Sequence, residues 1–359
     1  MVVQSAPRSA MSARVSILVA NATARTGKAE RVIQRALEGL ERAGLNPEFV
    51  PTQPEGKTVG ALADRIERED VARVIYLGGD GTFAEAAKGI ILARERVGID
   101  VPLGMLPMGT ANDQGRSFGI SAGPKALDTN IQTIANGCEQ WMDVGRIEAL
   151  NAEGEVLQSD LWFDNCGFGF SARILAQRNR DRDRVANVPI VKEFYRDKLV
   201  YAGAALGQMF KSVVDGPTNV LFSCEVTVDG ELVEWVGLTD LVINGTILFG
   251  GEWIFVEDSR ADDGKFEVLP FRSRADWVMA AITRHKKNPV TDDDREVVGL
   301  GGRECLRGRH IEVRLFRANL GQDIHAQIDG EEFVTAPHYR VENLFHHLRI
   351  IVPEDPHWI

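Results

Sequence analysis

Hydrophobic positions in the first 140 residues alternate between two spacings. Short runs rich in Val, Ile and Leu predict strands, and after each run the apolar residues recur at helical spacing. Strands are predicted at Val15–Ala20, Pro47–Val50, Ala72–Leu77 and Val101–Pro107, and helices around Val32–Leu40, Gly60–Arg68, Phe83–Glu95 and Pro124–Asn136. This regular alternation of strand and helix is typical of a doubly wound parallel sheet.

Beyond residue 140 the strand-like runs follow one another without regular helices between them. They are Trp141–Leu150, Glu155–Asn165, Asn219–Val228, Leu232–Asn244, Lys265–Pro270, His310–Phe316 and His325–Ile328. One interruption, near residues 171–212, has a helical pattern. We predict an α/β protein with a disordered N-terminus (1–13), a doubly wound nucleotide-binding α/β domain (14–140) and a mainly antiparallel β-sandwich domain (141–359) with a helical insertion.

Composition limits the classes of function. The chain has 359 residues and a net charge of −11, and residues 1–140 contribute 16 basic and 16 acidic side chains, so the negative charge falls on the second half. Because nucleic-acid affinity depends on clustered Lys and Arg, we expect no nucleic-acid partner. The four cysteines form no CxxC pair, and the longest apolar run, Leu199–Phe210, is too short to span a bilayer. We therefore expect a cytoplasmic protein with reduced thiols.

Two glycine-containing loops follow the third and fourth predicted strands. The first, GGDGT at residues 78–82, precedes a helix, and its glycines let backbone N–H groups approach an anion such as phosphate. The acid in this loop, Asp80, is unfavourable beside phosphate unless a cation lies between them. The second loop, LPMGTAND at residues 106–113, carries Asn112 and Asp113, which can bond to sugar hydroxyls, bond to neighbouring loops or cap a helix. Ligands of open α/β sheets bind at the carboxyl ends of the strands, so the loops are expected to converge.

The spacing of these two loops resembles the catalytic domain of diacylglycerol, sphingosine and ceramide kinases and of bacterial soluble lipid kinases. The resemblance extends over nearly the whole chain. Asn21, followed by Gly27 and Lys28, stands where the family has an Asn-Pro-x-Ser-Gly-Lys turn, although Ala22 replaces the proline and residues 25–26 replace the serine. Thr52 follows the second strand, where the family contacts the nucleotide with a threonine.

The second half also resembles this family. Asp143-Val144-Gly145 and residues 165–170 match its first strands in the β-domain, and residues 260–266 match a segment in which relatives bind magnesium. Gln327–Glu331 matches the Asp-Gly-Glu string in which relatives keep a general base. Taken singly, the chemistry favours a hairpin tip for Asp-Gly-Glu and a turn for Asp-Asp-Gly, but beside the two glycine-containing loops it favours the functional interpretation.

The resemblance implies an ATP-dependent, Mg²⁺-requiring kinase that phosphorylates a hydroxyl of diacylglycerol or a similar lipid alcohol. It implies Glu331 as the base that accepts the alcohol proton, Asp329 as its support or a metal ligand, and Asp80 as the residue that organises the metal. The implied nucleotide-binding residues are Asn21, Thr52, Gly78, Gly79, Asp80, Gly81, Thr82, Glu85, Gly109, Thr110 and Asn112. A second magnesium ion would be bound at Arg260, Asp263 and Lys265, the lysine through its carbonyl.

A lipid substrate implies transient contact with a membrane surface. The broadly amphipathic segment at residues 185–210 is suited to this contact. The same pattern is equally compatible with packing of this segment on the β-domain. The sequence is also compatible with a homodimer. Two alternative functions are an NAD kinase-like enzyme, whose family shares GGDGT, and an inactive nucleotide- or lipid-binding module. The late Asp-Gly-Glu string fits the first poorly, and the presence of Asp80, Asp329 and Glu331 disfavours the second.

Overall fold

The computed structural model describes residues 14–22, 28–109, 111–176, 221–249, 254–256, 258–273, 276, 304–317 and 323–354. The predicted disordered N-terminus, Thr110 and the predicted lipid-contact segment at 185–210 lie outside the described residues. The predicted helical insertion is described only at its start, where residues 170–176 are helical.

The first part of the chain alternates strands and helices, as predicted. Its elements are β1 (Val15–Ala20), α1 (Lys28–Arg42), β2 (Asn46–Pro51), α2 (Lys57–Arg68), β3 (Val71–Gly78), α3 (Asp80–Val97), β4 (Leu103–Pro107), α4 (Asp113–Ser117) and α5 (Leu127–Asn136). Strands β2, β1, β3 and β4 pair in that order and are all parallel. Apolar side chains from α2 and α3 pack on one face of this sheet and those from α1 and α5 on the other, which confirms the doubly wound prediction.

The second part is built of strands. They are β5 (Glu139–Leu150), β6 (Val156–Trp162), β7 (Asn165–Gly169), β8 (Phe222–Val228), β9 (Glu231–Leu238), β10 (Asp240–Asn244), β11 (Phe266–Phe271), β12 (Leu306–Gly308), β13 (His310–Arg317), β14 (Ala326–Ile328), β15 (Glu331–Phe333) and β16 (His338–Ile351). Strands β12, β11, β10, β7, β14 and β15 form an antiparallel sheet in that order. Its inner face packs on β5, β8, β13 and β16 across a shared apolar core, which confirms the predicted sandwich.

Strand β16 joins the two parts into one sheet. It pairs antiparallel with β5 and β13, and near its end Ile350 pairs in parallel register with Leu103 of β4. The parallel sheet therefore continues directly into one layer of the sandwich. The predicted strands did not include β16, because a bulge between Leu344 and Leu348 interrupts its alternation.

Two predicted strands are each divided in the structure. The run at 155–165 forms β6 and the start of β7, and the run at 232–244 forms β9 and β10. In both places the chain leaves one sheet of the sandwich and enters the other. Among the described residues, no helix has the length and hydrophobicity needed to cross a bilayer.

Asp240 is a buried acid at the first residue of β10. It is fully buried, and its carboxylate accepts hydrogen bonds from the backbone N–H (2.8 Å) and hydroxyl (3.2 Å) of Ser171, at the start of the helical segment. Burial raises the pKa of Asp240 to about 8, so the neutral form is favoured at pH 7.

We predict that the stability advantage of the wild type over Asp240→Asn decreases as the pH rises from 5 to 8. The raised pKa means that the folded protein holds a proton that the unfolded chain has released, so wild-type stability falls over this interval by at most about 1.4 kcal/mol per pH unit. Asparagine stays neutral throughout. Urea unfolding of both proteins at several pH values measures the difference, and a constant difference would contradict the prediction.

Candidate active site

The two glycine-containing loops meet at the carboxyl ends of β3 and β4, as the sequence predicted. Gly78 accepts hydrogen bonds at its carbonyl from the N–H groups of Met108 (2.6 Å) and Gly109 (3.1 Å). The backbones of Gly79 and Gly109 are so close that a Cβ on Gly109 would lie 2.4 Å from the Cα of Gly79. The site therefore requires glycine at position 109 because any side chain would collide with Gly79. The N–H of Gly109 also donates a hydrogen bond to Asn112 Oδ1 (2.7 Å).

Asp80 connects the first loop to the second. It lies at the first position of α3, and its Oδ2 accepts a hydrogen bond from the backbone N–H of Asn112 (3.0 Å). Its other oxygen, Oδ1, is buried and has no hydrogen-bond partner among the described residues. Burial raises the pKa of Asp80, although the neighbouring backbone N–H groups, that of Asn112 first, oppose this rise. A cation at Oδ1 would stabilise the ionised form.

A cleft of about 560 Å³ lies beside the first loop, and five of the predicted nucleotide-binding residues line it. It is lined by Asn21, Thr52, Gln53, Pro54, Glu55, Gly81, Thr82 and Glu85. Glu85 is half-buried one turn into α3, and burial raises its pKa while a hydrogen bond with Thr58 and the charge of Lys88 lower it. The structure thus places Asn21, Thr52, Gly81, Thr82 and Glu85 together, as the sequence led us to expect.

The predicted catalytic string forms a two-residue hairpin turn between β14 and β15. We call Ile328–Glu331 the catalytic turn. Asp329 and Gly330 both have positive φ, 47° and 77°, and Ile328 pairs with Glu331, which is the geometry of a type I′ turn. The hairpin-tip alternative is therefore correct as a description of the backbone, and Glu331 lies exposed just after the tip.

The carboxylate of Asp329 is held by three consecutive backbone N–H groups. Phe163 donates to Oδ2 (2.9 Å), while Asp164 (2.8 Å) and Asn165 (3.2 Å) donate to Oδ1. The N–H of Asp329 donates in return to the carbonyl of Asn165 (2.8 Å). Burial raises the pKa of Asp329 to about 6, and these N–H groups limit the rise. Of the two predicted roles, the contacts favour support of the turn that carries Glu331.

An aromatic contact connects the first glycine-containing loop to the catalytic turn. Phe83, in the first turn of α3, packs edge-on against Tyr76 and against Phe163, with ring centroids 5.4 Å apart in each pair. The N–H of Phe163 is one of the three that hold Asp329. Packing of Phe83 thus links the loop to the turn.

Sequence reasoning missed several residues around this site. Lys88 Nζ lies 2.6 Å from Asp160 Oδ1, so an ion pair joins α3 to β6 between the two parts of the protein. The charge of Lys88 also lowers the pKa of Asp329. Asp164, next to Asn165, is buried and had no motif to mark it. The Lys88–Asp160 ion pair and the Asp164–Thr246 hydrogen bond each join residues more than 70 positions apart in the sequence.

The arrangement fits a magnesium ion held partly by substrate. No group of three or more His, Cys, Asp or Glu side chains is arranged to hold a metal in the described part of the chain. Magnesium bound with nucleotides, however, usually takes one or two carboxylates and the substrate phosphates. The buried, unpartnered Oδ1 of Asp80 is suited to that role.

The side chains of the predicted second magnesium site bond to one another and to their own backbone. Arg260 forms a two-point ion pair with Asp262, and Asp263 Oδ1 accepts the N–H of Lys265 (3.0 Å) within the turn. Asp143 fixes this turn by accepting the N–H of Gly264 (2.7 Å). These contacts are those of a turn closed by its own side chains, and the second magnesium site stays a prediction.

Comparisons with known proteins show that the chain is similar to lipid kinases. The diacylglycerol kinase catalytic domain matches residues 16–147. The chain is 24% identical over 338 residues to the diacylglycerol kinase of Bacillus subtilis, covering 90% of this chain and 91% of that protein. It is 39% identical over 236 residues to the relative named probable lipid kinase YegS from Salmonella gallinarum, covering 64% and 67%.

A solved structure with the same fold is a diacylglycerol kinase from Bacillus anthracis. It superposes with a TM-score of 0.64 at 16% identity, covering 95% of this chain and 97% of that chain. This likeness supports the order of a parallel α/β part and an antiparallel sandwich.

The close packing of the loops predicts that alanine substitution has different effects on stability at two glycines. Gly109→Ala should destabilise the protein by about 1–3 kcal/mol, because its Cβ would overlap the backbone of Gly79. Gly81→Ala should leave stability within about 1 kcal/mol, because its Cβ would meet open space in a helix. Urea unfolding of the three proteins measures both, and equal stabilities would show that the loops can separate at little cost.

Proposed function

Because the chain belongs to the diacylglycerol kinase family of lipid kinases, we propose that it transfers the γ-phosphate of ATP to a hydroxyl of diacylglycerol or a similar lipid alcohol. The observation that carries this proposal is the contact between the first glycine-containing loop and the catalytic turn through Phe83 and Phe163. This contact connects the helix beside the proposed nucleotide-binding cleft to the segment whose N–H groups hold the turn of Glu331.

The nucleotide would lie in the cleft beside the first loop. Phosphates would be held by backbone N–H groups at the start of α3, where the helix dipole favours negative charge. Thr52 and Glu85, which both line the cleft, are suited to contact the nucleoside. Phosphoryl transfer requires mainly that the two reacting oxygens be positioned in line, so the rigid packing of this loop serves the reaction directly.

Glu331 would accept the proton of the lipid hydroxyl as that oxygen attacks the phosphorus. Its side chain is exposed and can meet a substrate, whereas the Asp329 carboxylate is occupied by backbone N–H groups. Asp329 would set the direction of Glu331 by fixing the turn. Magnesium, held by Asp80 and the phosphates, would neutralise the charge that develops during transfer.

Membrane contact by the protein, which a lipid substrate requires, and a homodimer are further parts of the proposal. The chain's net charge of −11 gives no general attraction to anionic lipids. Docking would therefore use local contacts, for which the amphipathic segment at 185–210 remains the sequence-based candidate.

Replacement of the base gives the first test of this function. Glu331→Gln should lower kcat by about 10²–10⁴-fold while the KM for ATP changes little, because only proton transfer is lost. Labelled ATP with diacylglycerol in mixed micelles measures both constants. Glu332→Gln, at the neighbouring exposed glutamate, is the matched control. Wild-type turnover by Glu331→Gln would place the base elsewhere.

The metal role of Asp80 is tested by Asp80→Asn. The amide oxygen can still accept the N–H of Asn112, so the fold should persist, but a neutral ligand should raise the Mg²⁺ concentration for half-maximal kcat about tenfold or more. Asp128→Asn, which changes an acid in the first turn of α5, is the control. An unchanged magnesium requirement in Asp80→Asn would exclude this role.

A further inference from the structure

The loop that holds Asp329 contains a second buried acid, Asp164. This side chain is 2% exposed, and neither the motifs nor the mechanism above uses it. Its backbone N–H donates to Asp329, and its carbonyl accepts the N–H of Gly245 (2.8 Å). Asp164 therefore lies between the catalytic turn and the loop that follows β10.

Polar side chains surround Asp164 in a continuous buried network. Asn165 Nδ2 donates to Asp164 Oδ2 (2.7 Å), and Gln327 Nε2 donates to Asn165 Oδ1 (2.6 Å). Gln327 Oε1 then accepts the N–H of Gly330 at the tip of the catalytic turn (2.9 Å). On the other side, Thr246 Oγ1 is hydrogen-bonded to Asp164 Oδ1. The network thus reaches the turn by a route separate from the backbone contacts of Asp329.

A count of hydrogens in this network shows which form of Asp164 it accommodates. Thr246 Oγ1 is within hydrogen-bond distance of both Asp164 Oδ1 and the carbonyl of Leu248 (3.1 Å), but a hydroxyl has one hydrogen to donate. If Asp164 were ionised, one of the two buried acceptors would lose this donor. If Asp164 carries a proton on Oδ1, it donates to Thr246, and Thr246 donates to Leu248.

The surrounding charges favour the same form. Burial, and then the nearby carboxylates of Asp113 and Asp329, raise the pKa of Asp164 well above its ordinary range. A neutral carboxylic acid can donate a hydrogen bond in a buried site where a carboxylate would add repulsion.

We propose that Asp164 is a positioning residue of the catalytic turn and that it holds the turn as a neutral, proton-carrying acid hydrogen-bonded to Thr246. The positioning of Glu331 rests on the proposed function, whereas the proton on Asp164 and the fixing of the turn do not. Three measurements on the full chain separate these parts.

The first measurement is infrared spectroscopy of the proton. The difference spectrum between the wild type and Asp164→Asn at pH 7 should contain a protonated-carboxyl C=O band that the variant lacks. Asp240→Asn, at an equally buried acid that contacts Ser171 instead of the turn, is the matched control and identifies that residue's own band. A difference spectrum with only carboxylate bands for Asp164 would overturn the neutral form.

The second measurement is kinetic. Asp164→Asn mimics the neutral acid and should keep kcat within about threefold, whereas Asp164→Leu should lower kcat by about 10–100-fold with the KM for ATP nearly unchanged, since a misplaced base slows transfer without weakening nucleotide binding. Thr246→Val should lower kcat, and Thr246→Ser should restore it. If Asp164→Asn lost as much activity as Asp164→Leu, the charge would be required; if Asp164→Leu retained wild-type kcat, the positioning role would be wrong.

The third measurement is amide hydrogen exchange, which needs no activity. Asp164→Leu should accelerate exchange about tenfold or more at Phe163–Asn165 and at Gly330 but not in β1 and β3, and Asp164→Asn should not. Unchanged exchange at these amides in Asp164→Leu would overturn the positioning role. If the wild type phosphorylates no lipid alcohol, the proposed function fails, while the infrared and exchange results still decide the role of Asp164.

Discussion

Backbone pairing along β16 is the interaction on which the arrangement of the site depends. This strand pairs over most of its length with β5, over five residues with β13, and at Ile350 with β4, the strand that leads into the second loop. A shared sheet cannot rotate about a linker, so the parallel and antiparallel parts keep a fixed relation. At the bulge in β16, the N–H of His346 donates to Asp143 Oδ1 (2.8 Å), while Asp143 Oδ2 accepts the N–H of Gly264. The same strand therefore also organises the turn at 260–265.

On this framework the site is assembled by contacts between backbones and by one aromatic packing interaction. Gly79 and Gly109 allow the two loops to touch, and the side chains of Asp80 and Asn112 close them with hydrogen bonds. Phe83 extends the rigid unit to Phe163 and hence to the catalytic turn. Phosphoryl transfer depends mainly on positioning of the reactants and on stabilisation of charge. The packing of these loops contributes the positioning.

Several carboxyl groups lie close to this unit, and each has different hydrogen-bond partners. Asp329 is surrounded by backbone N–H groups, which stabilise its ionised form, and Asp80 has one oxygen bonded and one without a partner among the described residues. Asp164 is bonded to side chains in an arrangement that accommodates a proton. Neighbouring acids in different surroundings can thus serve different purposes, because burial penalises charge while N–H donors and cations restore it.

The sequence alone determined the local elements and the motifs. Apolar periodicity identified the four strands and the four longer helices of the α/β part. GGDGT and the Asp-Gly turn were recognisable because the conformation of a loop is set by adjacent residues. The tertiary structure alone decided that β16 returns to the centre of the sheet, that Gly109 packs against Gly79, and that Asp164 meets Thr246. These partners are about 30 to 200 residues apart in the chain. Local pattern cannot specify such contacts, since they exist only after the sheets have paired and buried the side chains involved.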